Sequence, residues 1–338
     1  MITDTVATQA TPVDTLLQIS GGAVLPRCLH AVANLGIADA LGDARQSAAT
    51  LAAATGANAG ALERMLRLLS ASGVFDYSNG LFGHTAASRL LRVDHPQSMR
   101  SLVQMFGLPA FWPVIGELEH SLRTGLPTAD KVLPGGVWGY LSANPAASRI
   151  FDEAMTAKAY GQVAGVVGAY DFSGFGVIGD IGGGRGHLLQ GVLISAPGAR
   201  GVLFDQPHVV QQASGARSDR LRLHAGDFFK GDLPVCDAYL LMEVIHDWND
   251  EDATRILKNV RSAAPAHAKL LIIEAIVAED PDPSWPKTLD MWMLAIGGKQ
   301  RTQHEYVELF TNAGFSFTRQ INTQAGVSII EGIPAQAG

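Results

Sequence analysis

Apolar residues recur at helical spacing along the first part of the chain and as short continuous runs after residue 177. Between 13 and 41 the pattern is apolar and helical, through Leu16, Leu17, Val24, Leu25, Leu29, Val32, Leu35 and Ile37. This exceeds what one buried helix face needs, so the stretch reads either as a contact between two copies or as a core helix. Residues 1–12 are polar, end at Pro12 and read as frayed. Residues 47–55 predict a short helix stopped by Gly56. Leu62, Met65, Leu66 and Leu69 stand at i, i+3, i+4 and i+7, which predicts a second helix to about Ser72, with Gly73 as its stop. The segments 74–77 and 81–84 flank Ser78, Asn79 and Gly80, a hairpin signal.

Helix, turn, helix and hairpin in that order make a winged-helix pattern. Such modules often bind DNA, but the second helix carries only Glu63, Arg64 and Arg67 as charges, a thin supply for phosphate contacts. A structural or dimerising role is the better reading. From 95 to 170 helical stretches are broken by Pro96, Pro109, Pro113, Pro127, Pro134 and Pro145.

From Val177 onward strands and helices alternate, the signature of a doubly wound sheet. One strand ends at Asp180, and others are predicted over 201–205, 221–223, 238–244 and 270–274. Helices are predicted over 186–195, from an Asn249 or Asp250 cap through Ala253, Ile256, Leu257 and Val260, and around 289–296. Thr302 and Glu305 form a capping box for a helix through Phe310, closed by Gly314. Segments 315–321 and 327–330 read as a final strand pair.

Composition narrows the class. The 338 residues are 47% hydrophobic and 17% charged, enough apolar material for sizeable cores and roughly two domains. A net charge of −7 argues against wholesale nucleic-acid binding. Cys28 and Cys236, far apart, suggest free thiols in a reducing compartment. The N-terminus lacks the basic and apolar regions of a signal peptide, and no run approaches 18 apolar residues, so a cytoplasmic protein without a membrane span is expected.

In a doubly wound sheet, chemistry collects at the carboxyl ends of the strands. Those ends carry Asp180 with Gly182 and Gly184, Asp205, Asp227 with Phe228, His246 with Asp247, and Glu274. The glycines run Gly182-x-Gly184-x-Gly186, with His187 where a dinucleotide fingerprint wants glycine, which disfavours NAD and FAD. Asp205 follows Asp180 by 25 residues, close to the offset at which an acidic residue meets a ribose diol. A ligand with a ribose and a charged amino-acid tail fits, and S-adenosylmethionine is one. Asp227 suits an adenine amino group, and Phe228 its ring face. His246 is the residue able to take a proton near neutral pH.

The segments Asp180-Ile-Gly-Gly-Gly-Arg-Gly-His-Leu-Leu, Leu203-Phe-Asp-Gln-Pro, Gly226-Asp-Phe-Phe, Ile245-His-Asp-Trp-Asn-Asp and Gly297-Gly-Lys-Gln-Arg-Thr together resemble successive motifs of S-adenosylmethionine-dependent O-methyltransferases. The resemblance is to the plant caffeate type and its bacterial relatives that tailor aromatic natural products. It implies an α/β fold: a Rossmann-like class I methyltransferase sheet over 161–338, and an N-terminal, mainly helical winged-helix dimerisation domain over 12–160.

By resemblance, Asp180, Gly182 and Gly184 hold the methionine moiety of the cofactor, Asp205 the ribose, and Asp227 and Phe228 the adenine. His246 is then the general base and Glu274 the acid that orients it. Met155, Trp292 and Met293 are expected pocket walls for a small aromatic acceptor. The expected reaction is methyl transfer to a phenolic or enolic hydroxyl, leaving S-adenosylhomocysteine, in a homodimer with no metal and no nucleic-acid or membrane partner. N-methylation, a non-methylating reaction (hydroxylation, decarboxylation or cyclisation) and a winged-helix regulator are the alternatives. One departure stands out: the family often carries Glu where this chain has Gln300, and a glutamine cannot serve His246 as a charged partner.

Overall fold

Glycines cut the apolar N-terminal pattern into pieces. In the computed structural model, which describes residues 11–336, the stretch forms three helices, Pro12–Ser20, Val24–Asn34 and Ile37–Leu41, not one. A turn at 21–23 ends the first, and Gly36, with φ of +66°, supplies the left-handed backbone that starts the third. Of the frayed segment 1–12, residues 1–10 lie outside the described residues; Thr11 is ordered as the cap of the first helix, in a capping box with Asp14. No residue of that first helix is buried, and Leu16 is 69% exposed. No 18 consecutive residues are apolar, yet Pro12–Asn34 is long and apolar enough to cross a membrane by length and composition. The turn divides it, and Asp14 and Arg27 interrupt it.

The helix–turn–helix–hairpin follows the sequence closely. Ser47 caps Ala48–Thr55 by accepting from the Thr50 amide, and Gly56 ends it at φ +71°. Ala59–Ala71 buries Leu62, Leu66 and Leu69. Strands β1 (Phe75–Ser78) and β2 (Leu81–His84) pair antiparallel with Ser78 opposite Leu81. Asn79 and Gly80 both take positive φ, as a two-residue hairpin turn requires. These elements close on a core that includes Ile37, Leu41, Leu51, Leu66 and Phe82. They belong to a first compact unit made of the described residues up to Phe111 together with Arg149–Ala157.

The second unit holds Trp112–Ser148 and the chain from Lys158 onward. Its sheet comprises β3 (Val177–Ile181), β4 (Arg200–Asp205), β5 (Leu221–Ala225), β6 (Ala238–Met242), β7 (Lys269–Glu274), β8 (Phe315–Asn322) and β9 (Ser328–Pro334). The strand order is β5-β4-β3-β6-β7-β9-β8. The first five are parallel, and β9 runs antiparallel to both β7 and β8. Parallel strands are covered on both faces, which is why their sequences are continuous apolar runs. One face packs Ile256, Leu257 and Phe310, the other Leu189, Val192 and Val166. The order reverses between β3 and β6, so the two strand ends flank an open crevice there. β6 stops at Met242, two residues short of the sequence expectation, because Glu243 turns to φ +54°. The helix expected around 289–296 starts earlier, at Trp285, with Pro286 in its first turn.

A buried carboxylate ties the antiparallel edge to this sheet. Glu331 of β9 accepts from Lys269 Nζ at 3.1 Å, Tyr170 Oη at 2.7 Å, Thr318 Oγ1 at 2.8 Å and Arg319 Nη2 at 3.1 Å. Burial opposes its ionisation, but these donors prevail and hold it down at about 2. A carboxylate depressed on folding stabilises the fold above its unfolded value and loses that contribution as pH falls through the folded one. Glu331→Gln should therefore be less thermostable than the parent at pH 7, with the difference closing as pH falls from about 4.5 towards about 2. Paired melting curves across that range check it; a constant difference would contradict it.

Candidate active site

The crevice begins at the glycine turn after β3. Gly182, Gly184 and Gly186 all take positive φ, so the chain doubles back at a spacing only glycine tolerates readily. Their surroundings differ. A Cβ on Gly182 would meet Val244 Cγ2 at 2.9 Å, and one on Gly183 would meet the Asp180 carboxylate and Leu203 at 2.5 Å. Only Gly184 faces open space, with nothing within 4 Å. Gly182 is therefore there for backbone angle and close packing, and Gly184 lies at the opening.

Asp180 and Asp205 meet at this turn. Asp205 Oδ2 accepts from the Gly184 amide at 2.8 Å, and its Oδ1 from the Gln206 amide at 2.7 Å. Asp180 is buried, and its Oδ2 has no hydrogen-bond partner among the described residues. Burial, then the nearby Asp205 charge, pushes its carboxyl up to about 7; burial also raises Asp205. A buried acceptor without a donor is costly, and the corner suits a ligand that brings one. Asp227, after β5, accepts from the Phe229 amide at 2.9 Å and stands 3.4 Å from Lys230 Nζ. Phe228 is held by Asn259, which donates to its carbonyl at 2.7 Å, and meets Trp248 edge-on at 5.9 Å between ring centres.

His246 sits on a short helical turn, Ile245–Asp247, beyond β6. It is buried, and polar groups surround its ring. Nδ1 lies 2.6 Å from Gln300 Nε2 and 3.3 Å from Glu274 Oε2. Glu274, at the end of β7, also accepts from the His246 amide through Oε1 at 3.1 Å. Nε2 stands 3.4 Å from Asp247 Oδ1. Burial pushes the imidazole down to about 4, a fall that the negative charge of Glu243 limits and Lys158 and Arg301 deepen. Burial, then Glu243, raises Glu274 far above the usual carboxylate range and Asp247 to about 7.

The loop 297–301 grips this turn from the other side. The Lys299 amide donates to the His246 carbonyl at 2.8 Å. A Cβ on Gly298 would fall 2.1 Å from that same carbonyl oxygen, so no side chain fits there. Arg301 is fully buried. It donates to the carbonyls of Ile245 at 3.0 Å and Trp248 at 2.8 Å, and to Asp250 Oδ1 at 2.9 Å.

The structure thus brings Asp180, Gly182, Gly184 and Asp205 to one corner, and His246 and Glu274 into contact. Trp292 and Met293 lie on Trp285–Ile296, the helix that leads into the 297–301 loop; Asp290 of that helix accepts from the Gln300 amide at 2.9 Å. Met155, half-buried, belongs to Arg149–Ala157 in the first unit. Sequence reasoning missed Lys158 and Gln162, which reach Glu243 at 2.6 and 3.1 Å. Gln162 and Glu243 are 81 residues apart, and no local pattern marks the pair. Among the described residues no group of three or more His, Cys, Asp or Glu is arranged to hold a metal ion.

Comparison with known proteins identifies the family. Residues 116–316 match the O-methyltransferase domain model, and residues 17–94 match the O-methyltransferase dimerisation domain. The chain belongs to the O-methyltransferase family.

This O-methyltransferase is 41% identical to the phenazine O-methyltransferase PhzM of Lysobacter antibioticus, over 94% of this chain and 95% of that one. It is 36% identical to an 8-amino-8-demethylriboflavin N,N-dimethyltransferase of Streptomyces davaonensis, over 85% of each. Among solved structures it resembles the O-methyltransferase NcsB1 from neocarzinostatin biosynthesis, in complex with S-adenosyl-L-homocysteine and 1,4-dihydroxy-2-naphthoic acid. The TM-score is 0.75 and the identity 30%, over 91% of this chain and 95% of that one. The class I methyltransferase sheet and the helical dimerisation module expected from the motifs are thereby both present.

Removing Arg301 takes the donor from the Trp248 carbonyl, leaves the Ile245 carbonyl only the Trp248 amide at 3.3 Å, and strips Asp250 of an ion-pair partner. Arg301→Met should lower stability by about 2–4 kcal/mol, as read from denaturant midpoints. An effect near zero would mean that the turn holds its shape unaided.

Proposed function

We propose that this O-methyltransferase transfers the methyl group of S-adenosylmethionine to a phenolic or enolic hydroxyl of a small aromatic natural product, with His246 as general base. The observation that carries the reading is the partnerless Asp180 oxygen beside the open Gly184, in the same corner as Asp205. That corner fits an amino-acid ammonium and a ribose: Asp180 would take a donor from the methionine part, and Asp205 keeps free lone pairs for the diol. Asp227 and Phe228 would hold the adenine. When bound, the cofactor supplies an electrophilic methyl carbon and leaves as S-adenosylhomocysteine.

The chain's own residues do the rest. His246 takes the hydroxyl proton through Nε2, while Glu274 and Gln300 fix its ring through Nδ1. Trp292 and Met293, on the helix that leads into the 297–301 loop, wall the acceptor pocket in this reading. The exposed Val13, Leu16, Leu17 and Ile19, on a helix with no buried residue, support a homodimer that covers them. The buried free thiols Cys28 and Cys236 suit the cytoplasm.

Likeness to an N,N-dimethyltransferase supports N-methylation as the second reading. Mass and connectivity of the product separate the two.

His246→Ala should keep S-adenosylhomocysteine binding in calorimetry and lose about 10²- to 10⁴-fold in turnover. Asp205→Ala should abolish that binding. Unchanged turnover in the first variant would remove the base from the mechanism. Leu16→Glu with Leu17→Glu should turn a dimer into a monomer in sizing experiments at micromolar concentration; a parent that is already monomeric would overturn the dimer.

A further inference from the structure

The nearest partner of the catalytic histidine on Nδ1 is a neutral amide, not a carboxylate. A base that removes the proton of an ordinary phenol, whose pKa is about 10, needs help to carry positive charge as the imidazolium forms. An ionised carboxylate on Nδ1 would supply it. Here the group on Nδ1, at 2.6 Å, is the amide of Gln300, which is neutral at every pH. The neighbouring carboxyl, Glu274, accepts from the His246 amide through Oε1 and stands farther from the ring, Oε2 3.3 Å from Nδ1, and burial favours its neutral form.

The other charges facing the ring do not replace it. Glu243 is ion-paired to Lys158 at 2.6 Å and takes a hydrogen bond from Gln162, so that pair brings no net charge. Arg301 is cationic and faces Asp250. Asp247, 3.4 Å from Nε2, lies on the side from which the proton arrives, and burial leaves it only partly ionised near neutral pH. Burial holds the imidazole itself near 4. Burial therefore opposes the imidazolium that proton transfer from an ordinary phenol would have to form.

We propose that the acceptor hydroxyl is an acidic one, enolic on a quinone-like ring or phenolic on an electron-poor ring, and that Gln300 is the positioning residue that matches the site to it. This rests on the methyl-transfer reading above. An acceptor that arrives protonated passes its hydroxyl proton to His246 Nε2, one that is already ionised needs no base, and the acceptor oxygen forms a C–O bond to the methyl carbon. The carbon–sulfur bond breaks with its electron pair kept by sulfur, and the imidazolium proton then leaves to solvent. For Nε2 to accept, Nδ1 must carry the hydrogen and needs an acceptor. Gln300 Oε1 is buried without a partner, and the two ends of an amide are alike in shape, so a turn of the amide brings that oxygen onto Nδ1.

The test compares two probes of similar size with labelled S-adenosylmethionine. One is 2-naphthol, an ordinary weak acid; the other is 2-hydroxy-1,4-naphthoquinone, an enol ionised at neutral pH. The parent enzyme should favour the quinone by about 100-fold or more in kcat/KM at pH 7. Gln300→Glu should narrow that preference by about tenfold, through kcat more than KM, and should raise the His246 pKa read by nitrogen NMR by about one unit or more. Equal kcat/KM for the two probes, transfer to neither by protein that binds S-adenosylhomocysteine, or an unmoved His246 pKa in the variant overturns the proposal. Loss of S-adenosylhomocysteine binding by folded parent protein would instead overturn the methyl-transfer reading. The comparison of probes on the parent enzyme decides the matter even if Gln300→Glu does not fold.

Discussion

The site depends on one buried cation. Arg301 has no exposed surface, and its guanidinium bridges the carbonyls of Ile245 and Trp248 and the carboxylate of Asp250. Those three groups span the short turn that carries His246. A guanidinium suits the task because its planar fork offers five donors in fixed directions. Its desolvation is offset only while each carbonyl is in place, so the arginine and the turn hold one another. The contact of the Gly298 backbone with the His246 carbonyl, too close for any side chain, makes the same loop the floor of the site.

The turn is also bent at its start. Glu243 holds a left-handed backbone that non-glycine residues seldom adopt, and its side chain is fixed by Lys158 and Gln162. Such backbone costs of order 1–3 kcal/mol and persists where surrounding contacts over-determine it. Here it ends β6 early and starts the chain toward the helical turn of His246. Two side chains from far back in the chain thus help shape the turn at this strand end.

Across the crevice, the glycine turn works by a different constraint. Gly182 and Gly183 are pressed against Val244, Asp180 and Leu203, while Gly184 opens outward and donates its amide to Asp205. Three adjacent glycines therefore answer to different demands, two to packing and one to access. With an acidic group at the end of each of two neighbouring strands, the corner collects negative potential and one unmet acceptor, Asp180 Oδ2. That is a place for a ligand rich in donors.

Much of this was legible in one dimension. The alternation of apolar runs and helical stripes located the seven-stranded sheet and its helices, since strand and helix periodicities depend only on local geometry. The Gly56 stop, the cap at Thr302 and the Asn79-Gly80 turn were readable for the same reason. Asp180, Asp205, His246 and Glu274 stood out because parallel strands point their carboxyl ends to one side. What the sequence could not carry was anything set by packing between distant segments. The three-way break of the 13–41 pattern, the Lys158–Glu243 pair and the environment of the His246 ring belong to that class. Gln300 was visible as a departure from motif, but its place against Nδ1 was not. Charges in a protein interior interact through distances and desolvation that only the folded chain defines, so the sequence named the chemical groups and the tertiary structure decided their state.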